Sequence, residues 1–343
     1  MPTRPLRLAT YNVEWMNALF DDQGRLLIDH EPSARYQTTR ADQINALGQV
    51  FAALDADGVM MIEAPDTSLH RSTVTALESF ARHFKLRARR AITGFPSDTE
   101  QEIAFLYDPG RLTVHHDPQS TADTPRFDQK WHFDQTGHAE IPGNGFAHTV
   151  TFSKPPLELL VQTQSRRLRL IGVHAKSKAP HGRVSADEFR RISINNRRKQ
   201  LAECHWLRAR AMDHLTAHDS LIVMGDFNDG PGIDKYERIF GQSGVEIVLG
   251  LNDPPERQLT DPNALMALYP GLHPTSARFW LAPRQCYFEA LLDFIMLSPD
   301  LATLGPRWHI WHPFNDPKIV AIPGLSAAIV TASDHFPVTL DLP

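Results

Sequence analysis

The stretch Leu221-Ile-Val-Met-Gly-Asp-Phe-Asn-Asp-Gly-Pro-Gly232 sets a carboxylate, Asp226, and an amide, Asn228, two residues apart at the start of a glycine- and proline-rich turn. Such a pair can hold a hard cation, a water or a phosphate oxygen. It can equally form an Asx-type turn that caps the next helix. Other apolar runs also end on polar groups: Leu6 to Trp15 contains Asn12 and Glu14, Gly58-Val-Met-Met-Ile62 stops at Glu63, and Leu168-Arg-Leu-Ile-Gly-Val173 leads into His174-Ala-Lys-Ser-Lys178. A histidine followed by Lys176 and Lys178 suits a phosphate, although a solvated loop has the same composition. Asp293 lies inside Leu291-Leu-Asp-Phe-Ile-Met-Leu297, where a carboxylate needs a partner. Ser333-Asp-His335 precedes a last apolar segment that runs to Leu340.

These groups need rigid elements behind them. The unbroken hydrophobics Leu221 to Met224 read as a strand covered on both faces, with its polar cluster at the carboxyl end, where open α/β sheets place ligands. Residues 38 to 54 show apolar spacings of three and four, a helical period, and Thr67 or Ser68 can cap a second helix carrying Val74, Leu77, Ala81 and Phe84. Glu102 to Tyr107 and Leu112 to Val114 read as strands of a hairpin turned by Asp108-Pro-Gly110, which adds an antiparallel component. Phe146 to Phe152 and Leu157 to Val161 read as two more strands. Ser185-Ala-Asp-Glu188 is a capping box opening a helix to about Leu215. One face of that helix carries Arg190, Arg191, Arg197, Arg198, Lys199, Arg208 and Arg210, a solvated face or a path for a phosphate backbone. A short helix is expected near 233 to 240, and an aromatic loop with Trp308, Trp311 and Phe314.

The 343 residues contain no low-complexity linker, so one domain over 1–343 is expected, with a long surface loop at 115–145. Four histidines in that loop have no zinc-type spacing. A formal net charge of -5 and 42% hydrophobic residues describe an ordinary soluble chain and exclude a strongly basic nucleic-acid binder. Two cysteines, Cys204 and Cys286, indicate neither a disulfide framework nor a thiolate zinc site. With no signal-like segment at the start of the chain, a cytoplasmic location is expected.

The ordered set resembles the endonuclease/exonuclease/phosphatase superfamily, whose members include deoxyribonuclease I, exonuclease III and neutral sphingomyelinase. Thr10-Tyr-Asn-Val-Glu14 is similar to the Asn-Val-Glu-Asn-Leu-Phe form of bacterial members. Gly225-Asp-Phe-Asn-Asp229 and Ser333-Asp-His335 resemble the two best-known signatures, and His174-Ala-Lys-Ser-Lys178 resembles the His-x-Lys-Ser-Lys of the extracellular-nuclease-like branch. Together the matches run from residue 6 to 342, and their order is more specific than any one motif.

The resemblance implies a four-layer α/β sandwich, two packed mixed sheets flanked by helices, with the site at one rim. It implies a divalent metal, magnesium first and manganese or calcium as alternatives; oxygen ligands fit that choice independently. By the same resemblance Glu63 is the direct ligand, Asn12 and Asp334 complete the shell, and Asp226 with Asn228 orients the attacking water or a second metal. His335, oriented by Asp293, takes the proton of that water, His174 faces the phosphoryl or leaving oxygen, and Lys154, Lys176 and Lys178 add positive charge to bind substrate.

Three positions depart from the family pattern. Ile62 stands where many relatives have Gln, Lys154 where an arginine often contacts phosphate, and Asn315-Asp-Pro317 matches nothing familiar. Lysine lacks the bidentate fork of arginine. The expected activity is a phosphodiester hydrolase, foremost a sequence-tolerant nuclease, since no module for reading base edges is visible. Small phosphate esters are the alternative substrates, and a non-catalytic binding protein of the same fold is the remote one. Neither a membrane span nor an obligate protein partner is expected.

Overall fold

In the computed structural model, residues 4–97, 99–119, 131–133, 148–150, 152–179, 185–232, 240–269, 271, 273–281 and 285–343 are described. Fifteen strands are seen among them: β1 (Leu6–Asn12), β2 (Gly58–Ala64), β3 (Arg90–Thr93), β4 (Glu102–Tyr107), β5 (Thr113–His116), β6 (Trp131–Phe133), β7 (His148–Val150), β8 (Leu157–Gln162), β9 (Arg167–His174), β10 (Leu221–Asp226), β11 (Ala277–Leu281), β12 (Cys286–Ala290), β13 (Asp293–Leu297), β14 (Arg307–Ile310) and β15 (Val338–Leu342). The α-helices are α1 (Arg40–Leu54), α2 (Thr73–His83), α3 (Ala186–Thr216), α4 (Gly244–Leu249), α5 (Pro262–Ala267), α6 (Pro299–Ala302), α7 (Pro317–Val320) and α8 (Leu325–Ala332).

Two mixed sheets form the centre, in the orders β14-β15-β1-β2-β4-β3 and β13-β10-β9-β8-β5. Each has one parallel pair at its heart, β1 with β2 and β9 with β10. Side chains alternate between faces, so the central strands β1, β2, β9 and β10 each contribute to two cores. Leu8, Met60, Ile62, Leu170, Ile222, Met224, Ile295 and Leu340 fill the space between the sheets. Ala9, Tyr11, Val59 and Met61 face away from it, onto α1, α2 and α8, while Val173, Leu221, Val223 and Phe294 pack on α3 and α4. The order helix, sheet, sheet, helix is the four-layer sandwich that the resemblance implied. The sheets approach closely at Gly172, where an added Cβ would lie 2.4 Å from the Met60 sulfur.

Several local expectations are corrected. Asp108-Pro-Gly110 does not turn a hairpin: β4 pairs with β2 and β3 in one sheet, while β5 pairs with β8 in the other. Asp108 explains the crossing, because its carboxylate accepts from Gly110 N and from Arg87 at 2.6 Å, which fastens the turn to the first sheet. The second helix is capped not by Thr67 or Ser68 but by Ser72, whose hydroxyl accepts from Thr75 N. His115 and His116, placed in a loop by sequence, lie in β5, and Trp131–Phe133 pairs with His148–Val150; the rest of 115–145 beyond residue 119, and residues 233–239 of the helix expected near 233 to 240, lie outside the described residues. Trp308 belongs to β14, with its indole N–H donating to Ile295 O, and Asp293 opens β13 instead of sitting within it. Among the described residues no helix is long and apolar enough to cross a membrane.

Candidate active site

The strand alternation that builds the inner core also delivers the polar groups. Asn12 follows Leu8 and Thr10 on the inner face of β1, His174 follows Leu170 and Gly172 on β9, and Asp226 follows Ile222 and Met224 on β10. Asp226 stands opposite both His174 and Asp293, so these side chains meet where the inter-sheet core reaches its rim. Gly225, with φ at 146°, lets the two strands approach: a Cβ there would fall 2.0 Å from the Val173 carbonyl oxygen.

Glu63 arrives by a different device. Period two would send it outward, but Ile62 pairs with Ile103 and Ala64 with Glu102, leaving Glu63 as the extra residue of a β-bulge with φ at 62°. Its carboxylate then accepts from Asn12 Nδ2 at 3.3 Å and from Trp15 N at 2.9 Å. Glu14, Trp15 and Asn228 are also left-handed, so backbone strain gathers at this rim.

Asp226 is the hub. Its Oδ2 accepts from Asn12 Nδ2 at 3.0 Å and Asn228 Nδ2 at 3.3 Å, and lies 3.8 Å from His174 Nε2 and 3.9 Å from His335 Nε2. Asn228 N donates to Asp226 Oδ1 at 2.7 Å, so the Asx-type turn is present. Burial pushes Asp226 up to about 6.

His335 joins Asp293 through Nδ1 and Oδ2 at 2.8 Å, both groups buried. Burial alone would lower the imidazole pKa, but the carboxylates of Asp293 and Asp226 more than offset it and hold it well above the ordinary histidine value. Asp293 is fixed in turn by Ser276, whose hydroxyl donates to Asp293 Oδ2 at 2.7 Å and accepts from the Leu292 and Asp293 N–H groups. The ligand atoms of Asp226, Asp293 and His335 lie within 4.8 Å of one another, a spacing that can hold a metal ion.

On the opposite side, Lys154 Nζ is 2.9 Å from His174 Nε2. Burial lowers Lys154 to about 8, and burial followed by the Lys154 charge lowers His174 well below its ordinary value. His174 is therefore a neutral imidazole at pH 7. Lys176 is half-buried, and burial and the Lys199 charge lower it. Lys178 is tied to buried Asp229 at 2.8 Å, which holds it to one side. Asp334 donates its N–H to Glu14, and its carboxyl is raised to about 8 by burial and then by Glu14.

A divalent cation fits this donor set. Asp226 and Asp334 are held toward protonation, Asp293 Oδ1 is buried without a hydrogen-bond partner, and the Asn12 amide bridges Glu63 and Asp226 in the manner of a missing positive charge. Asn12 Oδ1 itself accepts from Glu14 N at 3.0 Å.

Sequence reasoning missed Ser276, Asp229 and Glu203. Ser276 had no signal, being a small residue in a proline-rich stretch far along the chain from its partner. Asp229 was visible as the last residue of Gly225-Asp-Phe-Asn-Asp229, but its partners, Arg197 and Lys178, come from elsewhere. Glu203, buried and raised to about 7, accepts from Lys176 N at 2.7 Å.

A sequence model described as the endonuclease/exonuclease/phosphatase family matches residues 9–335. No curated protein sequence matches the chain. Among solved structures, the 3' phosphatase NExo from Neisseria, bound to a product DNA hairpin, is similar at 14% identity and a TM-score of 0.51, over 98% of this chain and 99% of that one. Truncated TDP2 from Caenorhabditis elegans is similar at 10% identity and a TM-score of 0.50, over 98% and 97%. A humanized D. rerio TDP2 is similar at 13% identity and a TM-score of 0.50, over 99% and 100%.

Proposed function

This chain belongs to the endonuclease/exonuclease/phosphatase family, a family of metal-dependent phosphoesterases, and on that premise we propose that it hydrolyses phosphodiester bonds, foremost those of nucleic acid, with magnesium. The observation that carries the reading is the buried His335–Asp293 pair, whose remaining imidazole nitrogen faces Asp226 in a rim crowded with carboxylates.

Glu63, Asp226 and Asp334 would hold the ion, with Asn12 keeping Glu63 and Asp226 together. A bound magnesium supplies charge neutralisation and polarisation of the phosphoryl oxygen. Asp293 keeps the proton of His335 on Nδ1, so Nε2, when unprotonated, takes the proton of a water that attacks phosphorus in line with the leaving oxygen. Asp226 and Asn228 orient that water, while Lys154, donating one N–H to the neutral His174 Nε2, is positioned to donate another to the phosphoryl or leaving oxygen. Lys176 adds charge beside them, and Lys178 acts through Asp229.

A second reading, a small phosphate ester as substrate, is favoured by the arginines of α3. Arg197, Arg208 and Arg210 are buried and paired with Asp229, Asp253 and Glu158, so they line no path for a polymer. The test is hydrolysis of a single-stranded oligonucleotide, plasmid DNA, RNA, bis(p-nitrophenyl) phosphate and p-nitrophenyl phosphate with magnesium at low salt. Cleavage of a polynucleotide supports the nuclease reading. Rapid turnover of the small diester beside intact DNA and RNA replaces it with the second.

A further inference from the structure

The hairpin β11–β12 approaches the active site edge-on. Ser276, just before β11, holds Asp293; Arg278 N donates to Asp334 O at 2.7 Å; and the Phe279 ring stands 5.5 Å from that of His335. Because the two strands pair Arg278 with Glu289, Phe279 with Phe288 and Trp280 with Tyr287, Phe279 and Phe288 share one face of the ribbon. Arg278, Trp280, Tyr287 and Glu289 share the other.

On that second face the side chains form a continuous stack. The Arg278 guanidinium lies 3.8 Å from the centre of the Tyr287 ring and 4.6 Å from that of Phe314, and Trp280 meets Tyr287 edge-on at 5.0 Å. Trp280, Tyr287 and Phe314 are about half exposed, at 47%, 55% and 48%. Two large aromatics held in water by a ribbon with almost no core of its own, beside a third from the turn after β14, are costly unless something covers them. Their chemistry selects the occupant: π-faces interleaved with a planar cation accept any nucleobase by stacking and tolerate any sequence. Arg278 Nε also lies 3.2 Å from the Glu289 carboxylate on the same face.

We propose that Phe314, Arg278, Tyr287 and Trp280 form a stacking surface for single-stranded nucleic acid continuing beyond the scissile phosphate, an inference that rests on the nuclease reading and names its substrate class. Arg278 is the chain neighbour of Ala277, which bridges to His335, so a strand leaving the rim reaches this surface within a few nucleotides.

The test measures anisotropy of fluorescein-labelled dT12, and of the same oligomer with abasic spacers replacing the bases, in EDTA so that no bond is broken. The wild type should bind dT12 more tightly than the abasic oligomer. In the double variant W280A/Y287A the dT12 affinity should fall about tenfold or more, and R278K, which keeps charge but not the plane, should fall in the same direction. Equal affinity of wild type and W280A/Y287A for dT12, or no preference of the wild type for bases, overturns the proposal. Cleavage with magnesium is read separately. A stacking defect in a protein that hydrolyses only bis(p-nitrophenyl) phosphate sinks the nuclease reading and leaves the surface standing, whereas efficient dT12 cleavage with no stacking defect does the reverse.

Discussion

Two regions of this molecule bury charge, and they do so in opposite ways. Along α3 the buried arginines have acid counterparts: Arg197 meets Asp229 at 2.5 Å and Arg210 meets Glu158 at 2.9 Å. At the sheet rim four carboxylates, Asp226, Asp293, Asp334 and Glu63, gather around two buried cationic groups, His335 and Lys154, with Asn12 and a histidine that burial keeps neutral. Matched buried charges fasten elements together, whereas acid left in excess needs a ligand to complete it. The contrast separates paired arginines from crowded carboxylates within one fold.

Breaking the rim should cost activity first. His335→Ala should lower kcat on bis(p-nitrophenyl) phosphate about 100- to 10,000-fold, the range of a lost general base. A rate near wild type would remove His335 from the chemistry. Breaking the helix side should cost stability: Arg197→Ala leaves buried Asp229 with Lys178 as its remaining charged partner, and urea unfolding should show a loss of up to about 3–5 kcal/mol. A loss below about 1 kcal/mol would show that the pair is not what holds α3 to the loop after β10.

The contrast sharpens with pH. Asp226 and Asp334, raised to about 6 and about 8, stabilise the fold when protonated, and that contribution is lost as pH rises from the ordinary aspartate value near 4 through 6 and 8. Glu158 and Asp261, raised to about 7 and about 6 by burial, slope the same way away from the rim. Metal-free protein should therefore melt lower at pH 8.5 than at pH 6.5, and magnesium should raise Tm more at pH 8.5. An equal magnesium effect at both values would mean that these carboxylates do not meet the ion.

The smallest effect belongs to Ser276, a positioning residue for Asp293. Ser276→Ala removes a hydrogen bond usually worth about 0.5–1.5 kcal/mol, so kcat should fall only several-fold while the acidic limb of the pH–rate profile shifts. A fall in expression with kinetics intact would make Ser276 merely structural.

Much of the rim was legible in sequence because period two is a strict rule. Asn12, His174 and Asp226 each end an alternation whose inner members are Leu8, Leu170 and Met224, so their common face followed once the strands were recognised. Glu63 was found by residue type, yet its orientation depends on a bulge that nothing in Gly58-Val-Met-Met-Ile62 announces. Periodicity assigns faces within a sheet but not membership of one sheet or another, which is why β4 and β5 read as a hairpin. Arg190 and Arg191 of α3 are exposed, as a solvated stripe expects, but Arg197, Arg208 and Arg210 are buried against acids that come from distant segments: Asp229 after β10, Asp253 after α4 and Glu158 on β8.

The central claim is that the excess acid at the rim is a cation site that drives phosphoester hydrolysis. The most direct measurement titrates magnesium into EDTA-dialysed protein while following bis(p-nitrophenyl) phosphate hydrolysis, wild type beside Glu63→Gln. The account predicts no turnover before magnesium, saturable recovery in the wild type, and a half-maximal concentration at least about tenfold higher in the variant. Full turnover in EDTA, or superimposable titrations of the two proteins, would contradict it.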